Sequence, residues 1–222
     1  MLRSIALPQP AHESLVGFHS AGWAACKRLF DLVVGTIALL IVMPLLAVVA
    51  LAIMIDSPGN PFFIQTRVGQ FGRPFRLIKL RTMVPNAEQM RAQLEHLNES
   101  KPPLFKLHND PRLTRLGAFL RASSMDELPQ LLNVILGDMS LVGPRPRMPA
   151  ELAGVLDRPD IQRRLSAKPG LAGVWQVNGR AQNEFDEALA LDLFYIDHWS
   201  FFFDLQLIVR TFLVVLSARG AC

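Results

Sequence analysis

The sequence lacks several of the residues and patterns that mark common classes of protein. It has two cysteines in 222 residues, Cys26 beside an apolar run and Cys222 at the end. A disulfide framework is therefore not expected, which suits a reducing compartment. The five histidines are scattered, no Cys/His cluster has zinc-ligand spacing, and no Ser/His/Asp set is recognisable. Neither a Walker A pattern nor G-x-G-x-x-G occurs, so the familiar phosphate-binding loops are missing.

The composition is apolar and weakly basic. Hydrophobic residues make up 50% of the chain, and the mean hydropathy is +0.26, which is high for a soluble protein. The formal net charge of +4 does not choose between anionic lipid, phosphate-bearing substrates and nucleic acid. No recognised nucleic-acid-binding motif accompanies this charge, so no nucleic-acid partner is expected. The length allows one domain with a sizeable core.

A long apolar segment without charges runs from Leu32 to Ile55. Roughly 20 apolar residues suffice to cross a bilayer, so this segment is a candidate membrane helix. A cleaved signal peptide is disfavoured because the basic flank begins only at Lys27 and no A-x-A-like cleavage site follows the run. Pro44 lies near the centre of the run, where it removes a helical hydrogen bond and kinks the helix.

Two membrane arrangements fit this segment: a kinked helix that spans the bilayer, or a re-entrant helix that breaks at Pro44 and returns to the same face. Cytoplasmic flanks carry an excess of positive residues, and both flanks do so here. These residues are Lys27 and Arg28 before the segment and Arg67, Arg73, Arg76 and Lys79 after it. The charges favour the re-entrant arrangement over residues 23–56.

The chain after the membrane segment predicts a small mixed domain. Its expected bounds are 57–216, with an N-terminal tail over 1–22 and a C-terminal tail over 217–222. The stretches PFFIQTRVG and RPFRLIKLRTM alternate apolar and polar residues around Gln70–Gly72, which predicts a β-hairpin. Near the end of the domain, Trp199 and Phe201–Phe203 are expected at the lipid headgroup boundary, where aromatic rings are enriched.

Helices and loops are predicted from periodicity and from glycine and proline. Helices are expected over 86–100, along an apolar stripe at 113–120, within DELPQLLNVILGD and over 150–164. Gly137 is the expected C-cap of the third of these helices. The stretches VGPRPRMP and KPGLAGVWQVNGR are predicted to be loops.

Asp126 and Glu127 form an acidic pair just before Pro129 and an apolar run. Ser124 and Glu127 have the spacing of a capping box, which would make Ser124 the N-cap. That register would place Pro129 where its missing N–H leaves a carbonyl without a partner. The proline therefore favours a helix that starts at or next to Asp126, with an ionised carboxylate at the positive helix end. Such a carboxylate could be a metal ligand or a nucleophile toward phosphorus.

Several arginines follow in settings that favour phosphate binding. Arg145 stands between two prolines in VGPRPR, which restrict the backbone, and a guanidinium matches phosphate oxygens in a bidentate fork. Further positive charge could come from Lys79, Arg81, Arg121 and, in NGR, from Arg180. Carboxylates, arginines and a membrane anchor together fit Mg²⁺-assisted phosphoryl transfer at a membrane surface.

The sequence resembles the bacterial monotopic phosphoglycosyl transferases, the bacterial sugar transferase family that starts lipid-linked glycan assembly. The similarity covers about residues 24–216 in order. The matching stretches are KRLFD, QTRVG, FRLIKLRTM, MDELPQLLNVILGDMSLVGPRPR, KPGLAGVWQVNGR and LDLFYI. With one long uncharged segment, the chain is expected to match the minimal catalytic unit of the family without the multi-span extension of longer members.

The resemblance implies transfer of a sugar 1-phosphate from a UDP-sugar to polyprenyl (undecaprenyl) phosphate, with release of UMP. Asp126 would be the nucleophile that forms a covalent phosphosugar intermediate, Glu127 its partner, and both would bind Mg²⁺. Arg145 matches the phosphate-contacting arginine of the family, and Lys79 and Arg121 match basic positions near the site. A non-catalytic anchored scaffold is the alternative, although the intact acidic pair and GPRP stretch disfavour it.

The resemblance also implies the fold class and the location. The fold would be α+β and mostly helical, with a re-entrant proline-broken membrane helix, a small β-hairpin and a compact cytoplasmic catalytic domain with interfacial amphipathic helices. The protein would lie in the lipid of the bacterial inner membrane, with its catalytic domain on the cytoplasmic face. Some members carry Ser-Pro at the break, where this chain has Met43–Pro44. A serine hydroxyl can satisfy a carbonyl freed by the kink, and methionine cannot.

Overall fold

The computed structural model describes residues 21–99, 105, 107, 109–177 and 185–216. The helices are α1 (Ala21–Asp56), α2 (Ala87–Leu94), α3 (Arg115–Ala122), α4 (Gln130–Leu136), α5 (Pro149–Leu152), α6 (Pro159–Leu165), α7 (Val174–Val177), α8 (Phe185–Asp197) and α9 (Phe201–Leu216). The strands are β1 (Phe62–Val68), β2 (Pro74–Leu80), β3 (Ser140–Val142) and β4 (Gly170–Ala172). Short 3₁₀ turns occupy Gln70–Gly72, Glu95–Leu97 and Met125–Glu127.

Helix α1 is a single 36-residue element with Pro44 inside it. Within the described residues it is the helix long and apolar enough to cross a membrane. One side of it is covered by the rest of the fold. The other side exposes a run of large apolar residues that includes Leu32, Ile37, Leu40, Ile41, Val48, Leu51 and Ile55. The re-entrant path predicted for this segment stays a prediction.

The N-terminal part of α1 is attached to the domain by polar contacts. Arg28 donates to the carbonyls of Val134 (2.6 Å) and Ile135 (2.7 Å) at the end of α4. The buried carboxylate of Asp31 accepts from the N–H of Leu141 at 3.1 Å. The Arg28 bonds give further donors to the carbonyls at the end of α4, and the Asp31 bond pairs the Leu141 N–H. Together they fix α1 against α4 and β3.

Apolar contacts attach the C-terminal part of α1 to the same domain. Leu46, Val49 and Ile53 are buried in one cluster with Leu80 of β2 and Leu120 of α3. Just beyond the helix, Arg81 donates to the carbonyl of Pro58 at 2.9 Å and also to that of Ser57. Both ends of the long apolar helix therefore contact one and the same globular unit.

The predicted hairpin is confirmed. Strands β1 and β2 are antiparallel, with Phe62 opposite Leu80 and Val68 opposite Pro74. A second sheet, the parallel pair β3–β4, was not predicted; it pairs Ser140 with Gly170. The main core lies between these sheets and the helices α4, α8 and α9. The mostly helical α+β class with a small antiparallel sheet is thus confirmed.

The helix predictions are confirmed to different degrees. Helix α4 ends at Gly137, which has the left-handed φ of 93° expected of a glycine C-cap. The single helix predicted over 150–164 is wrong. Gly154 takes a φ of 79°, and the chain restarts at Pro159 as the first residue of α6. Within the predicted glycine-rich loop, short elements β4 and α7 form. The predicted tails lie outside the described residues, except that α1 begins at Ala21.

Candidate active site

Asp126 lies in a 3₁₀ turn ahead of α4. Ser124 takes a left-handed φ of 57° and its side chain accepts no capping hydrogen bond, so the capping box does not form. The predicted helix start at Asp126 is wrong as well, because α4 begins at Gln130 with Pro129 as its N-cap. The proline still explains the arrangement, since at this position its missing N–H is not required.

Asp126 and Glu127 are adjacent to a lysine and an arginine from other parts of the chain. Lys79 of β2 lies 2.9 Å from the Glu127 Oε1 and 3.9 Å from the Asp126 Oδ2. Arg145 lies 3.4 Å from the same Glu127 oxygen. Glu127 thus bridges two cations, whereas Asp126 makes only the longer contact with Lys79. This difference favours Glu127 as the orienting partner and Asp126 as the reactive group.

The carboxyl of Asp126 is buried, and burial raises its pKa above the usual value. Among the neighbouring charges, Lys79 acts most strongly in the opposite direction. Glu127 raises the pKa further, while Arg121 and Arg145 lower it. The sequence predicted an ionised carboxylate held by a helix end. In the structure, Lys79, Arg121 and Arg145 lower the pKa of Asp126, but desolvation is the larger effect and the pKa lies above its usual value. The ionised form therefore stays a prediction.

Arg121 is fixed beside the acidic pair by Thr82, two residues beyond the end of β2. Its Nε donates to the Thr82 hydroxyl at 3.0 Å, and burial lowers the pKa of this guanidinium. Gly117, one turn earlier on α3, permits this approach because a Cβ there would lie 1.9 Å from the Thr82 carbonyl oxygen. Both Arg121 and Lys79 line the cavity that contains Asp126.

The other predicted cationic residues have different positions. Arg81 lines the cavity, but two of its nitrogens already donate to the carbonyls of Ser57 and Pro58. Arg81 therefore connects the end of α1 to β2, and phosphate binding by it stays a prediction. Arg180 lies outside the described residues, so its predicted role in phosphate binding also stays a prediction.

Arg145 projects from a loop whose backbone is held at every carbonyl from 144 to 147. The Pro144 carbonyl accepts from the Gly170 N–H (2.8 Å), and the Arg145 carbonyl accepts from the Arg164 side chain. The Pro146 carbonyl accepts from the Arg67 side chain (3.1 Å), and the Arg147 carbonyl accepts from the Val68 N–H (2.9 Å). The prolines on either side of Arg145 donate nothing, so these acceptor bonds are what fix the loop. The guanidinium of Arg145 stacks over the Trp175 ring at 4.9 Å.

Two arginines donate to the backbone of this loop, and neither was predicted from the sequence to belong to the site. Arg164 forms a buried ion pair with Asp192 of α8 at 2.7 Å. Arg67 lies 3.9 Å from Glu151, and burial together with Arg145 lowers its pKa to about 10, so it stays protonated near neutral pH. Only Arg67 had a usable sequence signal, because strand alternation puts it on the same face as Gln65.

The cavity has a volume of about 440 Å³, and its two ends differ in chemistry. One end holds the acidic pair with Lys79, Arg121 and Arg145. At the other end, Asp110 and Arg112 form a bidentate pair with distances of 2.8 and 2.6 Å, and Arg112 lies over the Phe105 ring. This volume is in the range typical of sites for small ligands.

The acidic pair is compatible with one kind of metal ion. In the described part of the chain, no group of three or more His, Cys, Asp or Glu side chains could hold a metal. Mg²⁺ is usually held by one or two carboxylates together with substrate phosphates and water. Asp126 and Glu127 match that requirement, provided that a phosphate-bearing substrate supplies further oxygens.

The family model of the bacterial sugar transferases matches residues 22–218, which includes every element of this site. The chain belongs to the bacterial sugar transferase family. The resemblance expected from DELPQL and GPRP is therefore confirmed.

Relatives of this sugar transferase include two whose names describe transfer to undecaprenyl phosphate and one named for exopolysaccharide production. A UDP-glucose:undecaprenyl-phosphate glucose-1-phosphate transferase of Caulobacter vibrioides is 42% identical over 202 residues, covering 88% of this chain and 71% of that protein. The undecaprenyl-phosphate galactose phosphotransferase of Salmonella typhimurium is 40% identical, covering 88% of this chain and 41% of that protein. The exopolysaccharide production protein ExoY of Rhizobium meliloti is 37% identical, covering 88% and 87%. The chain thus spans less than half the length of the Salmonella protein.

Proposed function

We propose that this bacterial sugar transferase moves a sugar 1-phosphate from a UDP-sugar to undecaprenyl phosphate and releases UMP. The printed names of the Caulobacter and Salmonella relatives support the class of acceptor and the group transferred. The product, a lipid diphosphate sugar, would begin the assembly of a surface glycan. The name of the Rhizobium relative supports exopolysaccharide synthesis as the pathway.

The observation that carries the proposal is the position of Asp126. It is a buried carboxylate at one end of a cavity, with Lys79, Arg121 and Arg145 as the neighbouring cations that lower its pKa. Both substrates are anions and so is the nucleophile. Fixed positive groups that offset this charge are the main source of catalysis in phosphoryl transfer.

The transfer would consist of two displacements at one phosphorus. In the first, an oxygen of the Asp126 carboxylate attacks the phosphorus that carries the sugar, and the bond to the bridging diphosphate oxygen breaks. UMP leaves with that electron pair, and the sugar phosphate remains as an acyl phosphate on Asp126. In the second, an oxygen of undecaprenyl phosphate attacks the same phosphorus, and the carboxylate leaves.

The other residues of the site would position the substrates and neutralise their negative charge. Glu127, held between Lys79 and Arg145, orients the two cations toward the diphosphate. Asp126 and Glu127 would hold Mg²⁺, which when bound supplies positive charge against the diphosphate oxygens. Trp175 keeps Arg145 from turning away, because its ring covers one face of the guanidinium.

We also propose that α1 enters the cytoplasmic face of the inner membrane and returns to it. A straight 36-residue helix is about 54 Å long, well beyond the hydrocarbon thickness of about 30 Å. If α1 spanned the bilayer, its two ends could not both touch one globular domain. The contacts of Arg28 and Asp31 at one end and of Ile53 at the other support the re-entrant path. The exposed aromatic and apolar residues of α9 would lie at the same interface.

The proposed activity is tested by the variant Asp126→Asn, which keeps the shape of the side chain and removes the nucleophilic charge. Purified protein is mixed with Mg²⁺, undecaprenyl phosphate and a panel of UDP-sugars, and UMP is measured. We expect the variant to lose turnover with the donor that the wild type uses. The control is Asp186→Asn, at an exposed aspartate paired only with Arg158 at the surface. Full activity of Asp126→Asn would contradict a covalent mechanism.

A further inference from the structure

The first half of strand β1 exposes three consecutive apolar side chains. Phe62, Phe63 and Ile64 are 39%, 37% and 53% exposed; we call these three residues the apolar edge. The end of β1 is covered, since Arg67 and Val68 are buried and Val68 bridges to Arg147. Within the described residues, no strand pairs with the outer side of the apolar edge. An exposed hydrophobic edge strand is a liability in water unless something covers it.

One face of the apolar edge opens into the cavity of the active site. Alternation along β1 puts Phe63, Gln65 and Arg67 on a common face, and all three line the cavity. Phe63 pairs across the sheet with Lys79, whose ammonium group contacts Glu127 at 2.9 Å. Directly opposed side chains lie about 5 Å apart. Only Lys79 therefore separates Phe63 from the acidic pair.

The other face of the apolar edge adjoins the membrane helix. Phe62 is opposite Leu80, and Leu80 is buried in the cluster with Val49 and Ile53 of α1. Only a short segment, residues 57–61, separates the end of α1 from β1. The apolar edge therefore lies between the C-terminal part of α1, which packs on Leu80, and a cavity that is charged around Asp126.

We propose that the apolar edge is the entrance for the acceptor, where the first isoprene units of the polyprenyl phosphate lie while its phosphate reaches Lys79 and Asp126. This inference rests on the proposed function. A nucleotide sugar is polar throughout and has no hydrocarbon to bury. The acceptor has both a phosphate for the cationic end of the cavity and an apolar chain for the edge beside it. The occupant is thus the prenyl chain rather than the bulk bilayer.

The test separates the two half-reactions in purified full-length protein. The variants are Phe63→Ser, on the cavity face, and Ile64→Ser, on the opposite face. The acceptors are undecaprenyl phosphate and a water-soluble prenyl phosphate with two isoprene units. We expect kcat/KM for both acceptors to fall about tenfold, the effect of losing the contact of one apolar side chain. UMP release from the donor without acceptor should keep its wild-type rate in Ile64→Ser, because Ile64 lies on the face of β1 away from the cavity. The control Phe71→Ser removes a more exposed ring, 68% accessible, at the far end of the same hairpin and should change neither step.

Two results would overturn the assignment. If only transfer to undecaprenyl phosphate falls and the soluble acceptor is used at the wild-type rate, the apolar edge contacts the bilayer and not the acceptor. If UMP release falls as much as transfer in Ile64→Ser, the edge serves the donor step. Failure of the proposed function would be seen separately, because the wild type itself would then release no UMP.

Discussion

Asp126 is buried next to one carboxylate and three cations, so its reactivity depends on charges that single substitutions can remove. Burial and Glu127 raise its pKa, while Lys79, Arg121 and Arg145 lower it. The ionised form is the nucleophile. The pH at which UMP release falls on the acidic side of its profile therefore depends on these charges.

Two substitutions should move this acidic limb of the pH profile in opposite directions. Lys79→Met removes the strongest opposing cation, so the pKa of Asp126 rises and the limb moves to higher pH. Glu127→Gln removes a like charge, so the pKa falls and the limb moves to lower pH. The measurement is the rate of UMP release without acceptor as a function of pH. A shift of both variants in the same direction would contradict the assignment of the limb to Asp126.

At the residue scale, the site residues that could be predicted from the sequence are those marked by short motifs. Asp126, Glu127 and Arg145 stand out through the adjacent prolines and the family motif, and the fold brings them together with Lys79 and Arg121. The buried pair of Arg164 with Asp192 could not be found in this way. Its members are 28 positions apart and each has the spacing of an ordinary helical residue.

At the scale of the elements, the position of the loop with Arg145 depends on the buried ion pair between Arg164 of α6 and Asp192 of α8. Asp192→Asn would leave the Arg164 guanidinium buried without its counter-charge, which costs about 3–5 kcal/mol of unfolding free energy. Thermal or denaturant unfolding measures this loss. As a control, Asp160→Asn breaks an exposed pair with Arg158 and should leave the unfolding free energy nearly unchanged.

The double variant Arg164→Met with Asp192→Leu separates stability from positioning. Apolar replacements of similar volume often restore the stability lost on breaking a buried pair. The bond from Arg164 to the carbonyl of Arg145 would still be missing. We expect near wild-type unfolding and a lower kcat. Restored kcat in the stable double variant would argue against a positioning role.

Whether an element could be predicted depends on how far apart in the chain its interacting residues lie. The hairpin and the end of α4 were predicted correctly because alternation and a glycine C-cap are local signals. Strands β3 and β4 were missed because each has three residues, and they pair in parallel about 30 positions apart. The split between α5 and α6 was missed because Gly154, with its left-handed φ, and Pro159 interrupt a stretch whose apolar pattern is otherwise helical.

At the scale of the whole molecule, the path of α1 decides on which side of the membrane each of its ends lies. Cys26 is an exposed free cysteine near the start of α1, and Asn60 lies just beyond its end. In a Cys222→Ser background, Cys26 and an Asn60→Cys substitution should react with a membrane-impermeant maleimide from the same side. We expect labelling in inside-out vesicles and protection in intact cells. Reaction of the two positions from opposite sides would establish a spanning helix.

The central claim is that Asp126 carries the sugar phosphate between the two substrates. The most direct measurement is the intact mass of the protein after it is mixed with Mg²⁺ and its UDP-sugar donor, without acceptor. The account predicts one added phosphosugar per chain, located on Asp126, equimolar UMP, and loss of the adduct when undecaprenyl phosphate is added. Turnover that strictly requires both substrates together, with no UMP and no adduct from the donor alone, would contradict it.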